Sequence, residues 1–181
     1  MTMLMNISRL YLPNREAYLE LIQPDQIDRL YELIELNRDY LHRHICGIDV
    51  LRTCEDVQKR WGTPRENSLP FGLWLNENQM VGRCRLARNV ETNSAEIGYW
   101  LGESFQGQGL MTAAVEQLMK FAFEQWNVNR MEIHCGDKNL KSRAIPERLG
   151  FFNGGMSSTY PPIEINGQIV HTIVYFKNRS T

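Results

Sequence analysis

Between residues 95 and 101 apolar and polar positions alternate. Ile97, Tyr99 and Leu101 fall on one side and Glu96, Gly98 and Trp100 on the other, the period of a half-buried strand. After a short loop rich in Gly and Gln the period lengthens to that of a helix. Met111, Ala114, Val115, Leu118, Ala122 and Trp126 form an apolar stripe, and Glu116, Lys120 and Glu124 a wet face. The rest of the chain is organised around this strand, loop and helix.

Upstream, after a loose N-terminal segment, residues 16–22 read as a first strand. Pro24 suits the first turn of a helix carrying Ile27, Leu30, Tyr31 and Ile34, and a second short helix is expected from Asn37 to about His44. Thr53 and Asp56 form a variant capping box before Val57 and Trp61, and Gly62 ends that helix, opening a loop to Leu69. Phe71, Leu73 and Leu75 alternate with Gly72, Trp74 and Asn76. Residues 76–79 turn the chain back, and Met80, Gly82, Cys84 and Leu86 then alternate with Val81, Arg83 and Arg85. Residues 88–94 are polar and lead into the 95–101 strand, so these strands make an antiparallel meander.

Downstream, Met131, Ile133 and Cys135 alternate with Glu132 and His134. A helix separates this strand from 95–101, which predicts a parallel pair. Two such strands splaying apart would open a cleft at their carboxyl ends. Asn139 is a good N-cap with Ser142 in the first turn. Pro146, four residues on, cannot donate to the Ser142 carbonyl, so that helix is expected to kink or start late, and Gly150 ends it. Phe151 starts a strand, and Asn166-Gly167 between 163–165 and 169–176 signals a hairpin. The predicted class is α/β (α+β): a mixed, mostly antiparallel sheet with a splayed central parallel pair, flanked by helices.

Composition narrows the picture modestly. The 181 residues are expected to form one domain, with 43% hydrophobic and 23% charged residues. A net charge of −1 gives no global attraction to nucleic acid or to an anionic membrane, and neither is expected as a partner. No apolar run approaches a membrane span and the first residues lack the pattern of a signal peptide, so a cytoplasmic protein is expected. The scattered Cys46, Cys54, Cys84 and Cys135 read as free thiols. His42, His44, His134 and His171 show no ligand spacing, so no metal is expected.

The chemistry concentrates in Gln106-Gly107-Gln108-Gly109-Leu110-Met111. Two glycines two apart permit close approach of a ligand, and the helix that follows offers free N–H groups, a setting for phosphate. A Walker A loop would need a Lys, which is absent. A Rossmann fingerprint would need a third glycine, where Thr112 stands. The loop resembles the acyl-CoA loop of the GNAT N-acetyltransferases, Gln/Arg-x-x-Gly-x-Gly/Ala, with Met111 replacing the last small residue. With Ala95-Glu96-Ile97-Gly98-Tyr99-Trp100-Leu101 before it, and Asn139-Leu140-Lys141-Ser142 and Leu149-Gly150-Phe151 after it, the chain resembles the RimJ/RimL type, the ribosomal-protein N-terminal acetyltransferases. The resemblance spans about residues 10–176.

It implies acetyl-CoA as co-substrate. The pyrophosphate would lie on backbone N–H groups from Gln106 through Gly107, Gln108, Gly109, Leu110 and Met111 to Thr112, with the Met111 side chain turned into the core. Asn139 would hold the pantetheine amides or adjacent backbone, and N–H groups near Trp100 and Leu101 would meet the oxyanion. Acetyl transfer needs a neutral amine, a stabilised oxyanion and a protonated leaving thiolate. An α-amine, with a pKa of about 7.7–8.0, needs less help from a base than a lysine at about 10.4. Glu103, ahead of Glu96, is the candidate base, and Ser142 the candidate acid. Many relatives use a Tyr as the acid, and neither Tyr160 nor Tyr175 is singled out by spacing. The expected acceptor is a protein N-terminal amine. The alternatives are a small-molecule amine or a non-catalytic acyl-CoA-binding module. The C-terminal hairpin is expected to contribute to a homodimer.

Overall fold

The computed structural model describes residue 7 and residues 9–179. Of the stretch read as a loose N-terminal segment, residues 1–6 and 8 lie outside the described residues. The strands are β1 (Leu10–Tyr11), β2 (Tyr18–Leu21), β3 (Ser68–Asn76), β4 (Gln79–Asn89), β5 (Ser94–Leu101), β6 (Arg130–Gly136), β7 (Phe152–Met156), β8 (Ile163–Ile165), β9 (Gln168–Val170) and β10 (Thr172–Asn178). The helices are α1 (Ile27–Leu36), α2 (Arg38–His42), α3 (Cys54–Val57), α4 (Leu110–Gln125) and α5 (Leu140–Arg148). An eight-stranded sheet runs in the order β1-β2-β3-β4-β5-β6-β10-β7, and β8 and β9 form a separate hairpin. Among the described residues only β5 and β6 pair in parallel. No helix among the described residues is long and apolar enough to cross a membrane.

Each face of the sheet carries its own core. On one, α4 buries Leu110, Met111, Ala114, Val115, Leu118 and Ala122 against Cys84, Leu86, Ile97 and Ile133. On the other, Ile27, Leu30, Ile34, Leu41 and Val57 from α1–α3 pack on Trp74, Met80 and Trp100. Each Leu, Ile or Val so buried contributes about 1.5–3 kcal/mol, so the helices are held by their stripes rather than by propensity.

The parallel pair is short. Ser94, Ala95 and Glu96 pair with Arg130, Met131 and Glu132, and from Ile97 onward the strands part. The splay expected from the sequence thus begins after Glu96.

Four local expectations are corrected. The first strand is shorter than residues 16–22, and the two-residue β1 precedes it. In β4 the alternation breaks. Leu73 pairs with Gly82 but Trp74 with Met80, so Val81 is an extra residue. This bulge turns Val81 into the α4-side core with Cys84 and Leu86, while Met80 crosses to the α1–α3 side. The 169–176 strand is two strands. His171 donates its N–H to Asp137 Oδ1 at 3.1 Å and accepts the Asp137 N–H at 2.8 Å, drawing the chain off β8 and into the main sheet. The fourth is the late start of α5, which instead begins directly after Asn139 and continues through Pro146.

Candidate active site

Where β5 and β6 part, a cavity of about 1110 Å³ opens. Trp100, Leu101, Glu103, residues 106–112, Asn139 and Ser142 all line it, and Glu96 does not. The loop gains its form from two left-handed residues, Gly107 (φ +77°) and Gly109 (φ +71°), a conformation that side chains resist. Gly109 is the N-cap of α4. No side chain caps it and no acid stands in the first turn, so the leading N–H groups of a 16-residue helix are left for a ligand. Nothing lies within 4 Å of where a Gly107 Cβ would stand, while Arg15 Nη2 is 2.8 Å from that point at Gly109. Met111 points inward, 5% exposed, with its sulfur 3.5 Å from Cys84 Sγ. The loop therefore fits a phosphate through its backbone, with the cations Arg15, Lys141 and Arg148 around the same cavity.

The α5 side is tied to this loop. Lys141 Nζ donates to Gln106 Oε1 at 2.8 Å, and Arg148 Nη1 to Thr112 Oγ1 at 2.8 Å. Asn139 Oδ1 accepts the Ser142 N–H at 3.1 Å, capping α5. The Ser142 hydroxyl donates to Tyr99 Oη at 3.3 Å and stands 3.2 Å from Cys135 Sγ. Tyr99 is raised well above the ordinary tyrosine range, first by burial, and the buried Cys135 thiol is raised for the same reason.

The two carboxylates differ in setting. Glu103 sits in a single 3-10 turn, Glu103–Phe105, whose first N–H is held by Asn37 Oδ1 at 2.8 Å. Its side chain is half exposed and 3.7 Å from Arg43 Nη2. Glu96 lies outside the cavity, 3.4 Å from Arg85 Nη1 and 3.7 Å from His134 Nδ1. His134 also reaches Glu132 at 3.1 Å and meets the Tyr160 ring edge-on at 5.0 Å.

The sequence did not single out Tyr40, His44 or Tyr99, all of which line the cavity. His44 packs edge-on against Tyr40, and its pKa is lowered, first by burial and then by Arg43 and Lys141. Nothing in the pattern of residues 38–44 marks these two. Tyr99 did carry a signal, since the alternation of β5 put it on the α4 side with Ile97 and Leu101. The tip of the β8–β9 hairpin meets α2 here, Asn166 Nδ2 donating to the His42 carbonyl at 3.4 Å.

Residues 17–152 match the family model described as an acetyltransferase (GNAT) domain. The chain is 33% identical over 172 residues to YdaF of Bacillus subtilis (strain 168), named as a candidate ribosomal N-acetyltransferase, covering 90% of this chain and 91% of that one. It is 25% identical over 167 residues to the ribosomal-protein-serine acetyltransferase of Escherichia coli (strain K12), with 84% and 92% covered. Its fold is similar to that of RimL, the ribosomal L7/L12 α-N-protein acetyltransferase solved with coenzyme A. There the TM-score is 0.81 at 21% identity, with 94% and 98% of the chains covered.

Proposed function

The chain belongs to the GNAT acetyltransferase family, which takes acetyl groups from acetyl-CoA, and from that premise we propose that it acetylates the N-terminal α-amine of a protein. The observation that carries this reading is a single cavity. It joins the uncapped start of α4 to Glu103 and Ser142 at the point where β5 and β6 separate. The acceptor class is supported by the two curated relatives, both named for ribosomal proteins.

In this reading the backbone of residues 106–112 holds the pyrophosphate, with Arg15 above Gly109 adding charge. Asn139 orders the start of α5 beside the pantetheine arm, and N–H groups near Trp100 and Leu101 face the developing oxyanion. Glu103 takes a proton from the ammonium. The freed lone pair attacks the thioester carbon; as the C–S bond breaks the leaving sulfur takes the Ser142 hydroxyl proton, and the second proton, shed by the newly acylated nitrogen, restores that hydroxyl. Glu96, which lies outside this cavity, is the second candidate base and would act through a water. Tyr40 of α2 and His44 just beyond its end, both lining the cavity, bound the acceptor's path.

The test uses acetyl-CoA with three acceptors: peptides beginning with a free Ser or Ala, the same peptides N-terminally blocked with an internal Lys, and spermidine. Acetylation read by mass spectrometry is expected on the free N-termini alone. Glu103→Gln and Ser142→Ala should each lower kcat by about 100-fold, the scale of a lost acid or base, with acetyl-CoA binding retained. Transfer to spermidine alone would replace the acceptor class. Unchanged turnover in both variants would remove these two roles.

A further inference from the structure

We infer that Tyr99 is a positioning residue, fixing the Ser142 hydroxyl at the cavity through the backbone gap that Pro146 creates in α5. This rests on the role proposed above for Ser142. In an α-helix the carbonyl of residue 142 accepts the N–H of residue 146, and a proline has none. The Tyr99 hydroxyl fills that vacancy, donating to the Ser142 carbonyl at 2.9 Å. The same oxygen accepts the Ser142 hydroxyl at 3.3 Å. One phenol thus grips residue 142 by both its main chain and its side chain.

The division of protons follows. Tyr99 has a single O–H, and it is spent on the carbonyl, so toward Ser142 the phenol offers only lone pairs. The Ser142 proton is therefore the mobile one. Cys135 Sγ, 3.2 Å away, completes the surroundings of Ser142 Oγ as a weak donor. Asn139 fixes the N–H of the same residue. Burial raises the Tyr99 pKa and so favours the neutral phenol, which suits a residue that holds and does not give a proton.

Position 146 separates this role from simple repair of the backbone. In Pro146→Ala the alanine N–H can bond the Ser142 carbonyl, so the helix no longer needs Tyr99. We expect Tyr99→Phe to lower kcat on the free-N-terminus peptides by about tenfold, or 1.4 kcal/mol. KM for acetyl-CoA should stay within about twofold, the signature of an interaction made in the transition state. Tyr99→Phe with Pro146→Ala should regain melting temperature but not kcat. In a Ser142→Ala background, Tyr99→Phe should cost little more, since the group it holds is gone.

If the Tyr99→Phe/Pro146→Ala double variant regains both stability and turnover, Tyr99 serves only the backbone and the inference falls. It falls equally if Tyr99→Phe turns over like wild type while Ser142→Ala does not. If Ser142→Ala itself leaves turnover unchanged, the proposed role of Ser142 fails first and takes the inference with it.

Discussion

Arg83 carries a charge into the α1–α3 side of the sheet, where no carboxylate among the described residues meets it. It is 7% exposed. Its guanidinium donates twice to the Trp61 carbonyl, at 3.3 and 3.1 Å, and stacks over the Trp61 ring at 4.9 Å. Burial brings its pKa down to about 9, so it remains charged at neutral pH and bears the desolvation cost. What it provides is a donor for a carbonyl near the end of the π-helical turn Gln58–Gly62 and a seat for Trp61 beside Trp100. A buried ion replaced by an apolar group of similar volume is often neutral, whereas truncation leaves a void. Arg83→Met should therefore stay within about 1 kcal/mol of wild type in urea denaturation, and Arg83→Ala should lose about 3 kcal/mol. Equal losses would mean that the charge, and not the packing, holds Trp61. Side-chain direction was legible where one stripe decides it, as for Met111. The grip of Tyr99 on Ser142 was not, because it depends on a carbonyl freed by Pro146 and on two elements 43 residues apart.

Elements were legible in proportion to the length of their pattern. The start of α4 is fixed by Gly107 and Gly109, and its stripe runs four turns, so both read directly from sequence. The strands failed where tertiary contacts override a local alternation, at the Val81 bulge and at His171, which Asp137 pulls out of the hairpin. One consequence lies at the far end of that hairpin. His42 Nε2 bonds Asp49, and His42 Nδ1 faces Asn166 Oδ1 at 3.3 Å. Both partners are acceptors, so both ring nitrogens must carry protons, and the contact between α2 and the β8–β9 tip uses the imidazolium. Asp49 accordingly raises the His42 pKa. A raised folded-state value means that the stabilisation is fully present below the unfolded pKa of about 6.5 and is lost as pH rises through the folded value. The His42 ring protons should titrate by NMR above the ordinary histidine value, and in Asp49→Asn they should return to it. A wild-type midpoint at or below the ordinary value would remove the latch.

At the scale of the molecule, the sheet is two blocks joined at one seam. Strands β1 to β5 form one, and β6, β10 and β7 the other, and across the seam only three residue pairs are made before the strands part. Past Glu96 the facing edges of β5 and β6 lack each other as hydrogen-bond partners. A ligand lying in the wedge would satisfy these edges and connect the blocks, while its phosphates cover the α4 start. That the wedge exists was legible, from two strands separated by a helix beside a glycine loop. Where it begins was not, because register is set by packing on both faces. Binding at the seam should therefore act on global stability. A ligand at 100 times its Kd adds about 2.7 kcal/mol, which for a chain of this length is a rise of roughly 5–11 °C in Tm. Acetyl-CoA should produce that rise, with slower amide exchange at 97–101 and 133–136, and NADH and ATP should not. A Tm rise with acetyl-CoA but unchanged exchange in those strands would put the ligand on the α4 loop alone, leaving the seam open and the thioester short of Ser142. A rise with exchange slowed on both strands would mean that one molecule spans the glycine loop and the parting of β5 and β6, the arrangement that acyl transfer in this cavity requires.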